Sequence, residues 1–133
     1  MLHSKTKGNV GELRVAADLS KRGFAVFTEL GDSSKIDLIA IKESQIIRIQ
    51  VKTQTDTSNG TICAPLRSCG PGYSYLYTAN DVDVIAVYAM DKEVICYVPI
   101  ISFGKKTKMI LRFEKSKNNQ TKGIHFVEDY QQI

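Results

Sequence analysis

Residues 36–53 read Ile-Asp-Leu-Ile-Ala-Ile-Lys-Glu-Ser-Gln-Ile-Ile-Arg-Ile-Gln-Val-Lys-Thr. Two apolar runs flank the polar residues Lys42-Glu43-Ser44-Gln45, the pattern of two strands joined by a hairpin loop. With those four residues as the loop, Ile41 lies opposite Ile46, and counting outward places Asp37 opposite Gln50. Side chains alternate along a strand, so Gln50 and Lys52 share one face while Ile47, Ile49 and Val51 share the other. Directly opposed residues have Cβ atoms about 4.5–5.5 Å apart, and diagonal neighbours lie about 7–8 Å apart. Asp37, Gln50 and Lys52 therefore converge at one end of an apolar hairpin. A slip of one residue would undo that convergence.

A carboxylate and an amide oxygen are hard donors suited to a cation such as Mg²⁺. A lysine ammonium is a point charge able to hold a phosphate or orient an attacking water. Together they suit metal-assisted phosphodiester hydrolysis. The same residues also suit a half-exposed hairpin with an Asp–Lys surface pair, which contributes little stability. The hairpin alone leaves both readings open.

The chain has 133 residues, 43% hydrophobic and 24% charged. That predicts one domain, residues 1–133, large enough to bury a core without staples. No apolar run approaches the ~20 residues of a spanning helix, and Met1-Leu2-His3-Ser4-Lys5 lacks the apolar core of a signal peptide. A cytoplasmic location and no membrane partner are expected. Cys63, Cys69 and Cys96 form no Cys-x-x-Cys pair and fit no common zinc spacing, so free thiols are expected. The net charge of +4 is unevenly placed. Lys105, Lys106, Lys108, Arg112, Lys115, Lys117 and Lys122 fall where Glu114 is the only acid. Such a field suits polyanions, or is simply a solvated basic face.

Upstream of the hairpin, Thr6 to Arg22 has helical spacing and stops at Gly23. Asp18 and Arg22 make an i, i+4 pair. Glu12 lies with Val15, Ala16 and Leu19 along one face, so a carboxylate borders the buried stripe. There it must be paired, hydrogen-bonded or bound to a cation. An exposed glutamate favoured by the helix dipole is the other reading. Gly8 and Gly11 permit close approach of another backbone at a cost in helix stability. Phe24 to Leu30 reads as an edge strand. Gly31 to Lys35 is the turn delivering the chain to Asp37, with Asp32 and Ser33 as turn-formers.

In order, the helix with Gly8-x-x-Gly11-Glu12, a strand, Ile36-Asp37-Leu38-Ile39-Ala40 and Ile49-Gln50-Val51-Lys52 resemble the start of the PD-(D/E)xK nuclease core. In that family an Asp opens one strand, (Asp/Glu)-x-Lys closes the next, and a helix Glu often joins the Asp as a metal ligand. Here Ile36 stands in place of the Pro and Gln50 in place of the second acid. Further on, Tyr77-Thr78, Asp83 to Tyr88 and Val94 to Pro99 are similar to the small PD-(D/E)xK homing endonucleases encoded in group I introns, of the cyanobacterial tRNA-intron type. That branch carries Gln-x-Lys.

Between these motifs, Thr53 to Tyr77 is polar and broken by Gly and Pro, a long loop or twisted ribbon. Tyr73, Tyr75 and Tyr77 alternate, and packing against the sheet is expected for at least two of them. Val82 to Met90 and Glu93 to Pro99 read as strands covered on both faces, joined by a turn at Asp91-Lys92. Asp81 and Asp83 are strand-start residues. Ile100 to Gly104 reads as a turn, Lys108 to Glu114 as a late strand, Ser116 to Lys122 as a loop and Gly123 to Tyr130 as an extended piece.

The resemblance implies a restriction-endonuclease-like α/β (α+β) core: a mixed central sheet with an N-terminal helix carrying Glu12. It implies catalysis by Glu12, Asp37, Gln50 and Lys52. Glu12, Asp37 and the Val51 carbonyl would hold Mg²⁺, with Mn²⁺ as a substitute. A loop or ribbon near 54–77 would contact DNA, and Lys35, Arg48, Thr53, Thr55, Asn59 and Arg67 are candidate contacts to phosphates and base edges. The implied partner is double-stranded DNA, bound by a homo-oligomer (tetramer or dimer), since one compact module covers only about 600–1,000 Å². The implied activity is site-specific, Mg²⁺-dependent endonucleolytic cleavage. A Holliday-junction resolvase or restriction-type nuclease shares the layout. The alternative of a different class is a non-catalytic DNA-binding module on the same scaffold.

Overall fold

A computed structural model describes residues 2–102, 106–115, 118 and 123–133. The chain opens with α1 (Ser4–Lys21), which ends ahead of Gly23 at φ +92°. Val15 and Leu19 are fully buried, and Arg22 donates to Asp18 at 2.8 Å as the i, i+4 spacing predicts. The Tyr97 hydroxyl donates to the same Asp18 carboxylate at 2.5 Å, tying the helix to the sheet beneath it.

The edge strand β1 (Ala25–Thr28) pairs antiparallel with β2 (Leu38–Lys42), which pairs antiparallel with β3 (Gln45–Gln54). Ile41 faces Ile46 and Leu38 faces Ile49, so the register is the one the apolar pattern predicts. The turn is shorter than expected: Lys42 pairs with Gln45, leaving only Glu43 and Ser44, and Glu43 takes a φ of 57°. A glutamate in left-handed backbone gives no turn signal in a sequence. The register survives because both loop lengths set Ile41 against Ile46.

Residues 54–77 are more ordered than a loop. They contain β4 (Thr61–Pro65) and a small antiparallel hairpin of β5 (Arg67–Gly70) and β6 (Tyr73–Leu76). The chain then enters β7 (Val84–Ala89), parallel to β3, and returns antiparallel through β8 (Val94–Pro99). The mixed five-stranded sheet thus has the order β1-β2-β3-β7-β8. A parallel pair requires a crossover, and here strands β4 to β6 supply it in place of a helix.

Two apolar clusters clamp this sheet. On one face Val15 and Leu19 of α1 meet Ile47, Ile49, Val51 and Ala86. On the other, β4 joins β9 (Lys108–Arg112) and β10 (His125–Phe126) in a second sheet, and Ile62 and Leu111 pack on Ile85 and Val87. All six residues of β7 are buried, as its uninterrupted apolar run implies. Each such aliphatic side chain contributes about 1.5–3 kcal/mol on burial. Thr57, a buried polar residue, is satisfied by Asp91, which accepts from its backbone N–H at 2.8 Å and from its hydroxyl.

The strand-start aspartates are structural staples. Asp83 accepts from the Arg48 backbone N–H at 2.8 Å and from its guanidinium at 2.9 and 3.1 Å. Asp81 accepts from Lys35 at 3.1 Å. Tyr77 is buried while Tyr73 stays 53% exposed. Cys63, Cys69 and Cys96 are free thiols. Among the described residues no helix is long and apolar enough to cross a membrane. Phe103, Gly104, Lys105, Ser116, Lys117 and the stretch 119–122, with Lys122, lie outside the described residues.

Candidate active site

The helix approaches β3 most closely at Gly11. A Cβ built there would lie 2.0 Å from Thr53 Oγ1, and the same Oγ1 donates to the Lys7 carbonyl at 3.3 Å. Only a residue without a side chain allows this contact, and it sets the adjacent Glu12 beside the end of β2.

That end is Asp37. Its backbone N–H donates to the Ile49 carbonyl at 2.8 Å, and its Oδ2 accepts the Val51 N–H at 2.8 Å. Backbone groups of alternate strand residues turn to the same side, so the Val51 carbonyl faces the side on which Asp37 sits. Glu12 and Asp37 line the same cleft, close enough for each to shift the other. Burial raises the Glu12 carboxyl above the usual range, and the neighbouring Asp37 raises it further. Burial also raises Asp37, against the opposing pull of the Val51 N–H, the Glu12 carboxyl and the Lys52 charge. Asp32 adds a further repulsive charge to both.

Lys52 acts on Asp37 through its charge, and its Nζ lies 5.2 Å from the centre of the Tyr77 ring. Gln50 is half-buried, its amide donating to the Val51 carbonyl at 3.4 Å. The structure thus brings together Glu12, Asp37, Val51 and Lys52, with Gln50 bonded to the Val51 carbonyl.

The other sequence candidates are spread out. Lys35 pairs with Asp81 and stacks over Tyr75 at 4.0 Å. The Arg48 guanidinium holds Asp83 and the carbonyls of Ala79 and Asn80. Thr53 is taken up by α1, Thr55 is exposed just past β3, and Asn59 accepts from the Thr61 N–H at 3.2 Å. Arg67 is exposed on the β5–β6 hairpin, donating to Ser74 at 2.6 Å.

Glu12 and Asp37 line an open cleft of about 650 Å³ with Lys5, Gly8, Asn9 and Asp32. Sequence reading passed over these four as cleft residues. The signal was present in α1, where Lys5, Gly8, Asn9 and Glu12 recur at i, i+3, i+4 and i+7; Asp32 looked only like a turn-former.

The donor set fits a hard divalent cation. Two adjacent carboxyls whose charged forms burial disfavours, with a backbone carbonyl on the same side, are oxygen donors in want of positive charge. Mg²⁺ is commonly bound by one or two carboxylates together with water and substrate phosphate. Among the described residues no group of three or more His, Cys, Asp or Glu is arranged to hold a metal, so the fit is to a sparse site of this kind.

The family model described as PD-(D/E)XK endonuclease matches residues 2–133. Protein 5.3 of Escherichia phage T7 is 33% identical over 91 residues, 68% of this chain and 75% of that protein. A UPF0102 protein of Caldanaerobacter subterraneus subsp. tengcongensis is 38% identical over 64 residues, 44% of this chain and 50% of that protein. Among solved structures, the bacterial homing endonuclease I-Ssp6803I matches with a TM-score of 0.78 at 21% identity, covering 98% of this chain and 89% of that one. The Holliday junction resolvase Hjc of Archaeoglobus fulgidus matches with a TM-score of 0.51 at 14% identity, covering 80% and 84%. At these identities the structural likeness bears on the fold.

Proposed function

The chain belongs to the PD-(D/E)XK endonuclease family, and from that premise we propose that it cuts duplex DNA site-specifically, with Mg²⁺ held at Glu12 and Asp37. The observation that carries this reading is the pairing of Glu12 and Asp37 on one cleft beside Val51, whose N–H Asp37 accepts, with the Lys52 charge acting on Asp37.

In this reading Glu12 and Asp37 would hold the cation through carboxylate oxygens, together with the Val51 carbonyl. When bound, Mg²⁺ (or Mn²⁺) supplies positive charge at the scissile phosphate and acidifies water. The Lys52 ammonium orients the attacking water or offsets charge as it develops. Gln50 contributes an amide oxygen without the charge of a glutamate, leaving the two acids to carry the site's negative charge.

Residues 1–133 are taken as one nuclease domain, with the segment 54–77 contacting DNA. Support for the second part comes from exposed Arg67 and Tyr73 on the β5–β6 hairpin. Lys35, Thr53, Thr55 and Asn59 complete the proposed contacts, Lys35 after exchanging Asp81 for phosphate, whereas Arg48 stays with Asp83 and the Ala79 and Asn80 carbonyls. A homo-oligomer, dimer or tetramer, follows from the limited reach of one small module on duplex DNA. The three free thiols favour a reducing, cytoplasmic compartment. Cleavage of long duplex DNA and of a four-way junction, side by side, tests the substrate. Discrete cuts in the duplex support the proposal; symmetric nicking of the junction alone would replace it with a resolvase.

A further inference from the structure

The two glycines in the first half of α1 have different neighbours. Gly11 is demanded by Thr53, as described. Gly8 is demanded by nothing among the described residues: its backbone is helical, and a Cβ built on it meets none of their atoms within 4 Å. Alanine would fit there and would favour the helix. The open space over Gly8 is the cleft lined by Glu12 and Asp37.

Lys5 and Asn9 flank Gly8 on the same stripe of the helix. Both are exposed, and among the described residues neither side chain has a hydrogen-bond or ion-pair partner. Arg14, Arg22, Lys35 and Arg48, in contrast, are each ion-paired. The cleft is also lined by acids, Glu29 and Asp32. Ser33 and Ser34 hold the Glu29 carboxyl below its usual range, so it stays charged. A phosphate is repelled by those two residues and accepted along α1.

Resting on the endonuclease reading, we infer that Lys5, Gly8 and Asn9 seat the DNA strand next to the scissile phosphate. Lys5 neutralises a backbone phosphate and Asn9 donates its amide to a phosphate or sugar oxygen. Gly8 lets the sugar-phosphate backbone lie against the helix, where a methyl group would hold it off.

The test is binding of the full chain to a mixed-sequence duplex oligonucleotide, with Ca²⁺ replacing Mg²⁺, across a salt series. Gly8→Ala is expected to melt about 2–5 °C higher than the wild type yet bind roughly tenfold more weakly. Lys5→Ala should reduce the salt slope by about 1. Lys21→Ala, in the last turn of the same helix, should change neither quantity. Steep wild-type binding that Gly8→Ala and Lys5→Ala leave unchanged overturns the inference while the endonuclease reading stands. A Gly8→Ala variant less stable than wild type also overturns it, since the glycine then serves the fold. Salt-insensitive or absent wild-type binding overturns both.

Discussion

Asp37 accepts the Val51 backbone N–H at 2.8 Å, so one side chain takes the place of a strand partner just where β2 gives out. The carboxylate is thus fixed by the same backbone it is proposed to work beside. Burial raises both Asp37 and Glu12. An acid raised in the folded state contributes stability that is complete below its unfolded value and lost as pH climbs through its folded value. The pair therefore contributes more stability as pH falls from neutrality toward its range, while Glu29, Asp81, Asp83 and Asp91, held below their usual range by their partners, contribute less. Asp37→Asn keeps an acceptor for the Val51 N–H and removes the charge. It is expected to melt no lower than wild type at neutral pH and to flatten that pH dependence, which thermal melts across pH will show. An Asp37→Asn profile running parallel to that of the wild type over the same range would contradict the assignment of these shifts.

The approach of Gly11 to Thr53 sets where Glu12 stands. Gly11→Ala forces a methyl group into Thr53 Oγ1, and overpacking of this kind costs about 1–3 kcal/mol. Denaturant melts should record that loss, with cleavage falling as well. Pairing the substitution with Thr53→Ala should return part of both. No recovery in the double variant would mean the helix is placed by something else.

Much of this was legible before any coordinates. The hairpin register followed from Ile41 and Ile46 alone, and that register places Asp37 by Val51 and Lys52 in the next strand. The missing second strand layer was not legible. β4 is five residues long, and only Ile62 and Ala64 point inward between a polar run and a Gly/Pro-rich segment. Its partner β9 lies over forty residues further on and carries two of the basic residues, Lys108 and Arg112, that read as a solvated face. Strand pairing at such separation leaves no local mark. The two-residue turn was hidden for the opposite reason: Glu43 adopts a conformation its own chemistry disfavours.

Lys52 and Gln50 separate binding from chemistry. Lys52→Ala should lower kcat by about 10²-fold or more and leave most DNA affinity intact, as single-turnover cleavage and anisotropy will show. Equal activity in that variant would remove Lys52 from the mechanism. Gln50→Glu adds the acid that the family pattern carries at this position. It is expected to retain cleavage and to lower the Mg²⁺ concentration needed for half-maximal rate.

Arg48 is already engaged, with Asp83 and two backbone carbonyls closing around its guanidinium. Arg48→Ala leaves those acceptors unpaired, at a cost of about 1–2 kcal/mol given their partial exposure. A drop in melting temperature with little change in DNA affinity is expected at temperatures where both proteins are folded. A large affinity loss without destabilisation would show instead that the guanidinium leaves Asp83 for phosphate.

The central claim, a cation held by Glu12 and Asp37 for cutting DNA, meets its most direct test in cleavage of long duplex DNA by wild type and Asp37→Asn, each with Mg²⁺ and with EDTA. Discrete fragments should form only with the wild-type chain in Mg²⁺. Fragments formed equally in EDTA, or equally by the Asp37→Asn chain, would contradict it.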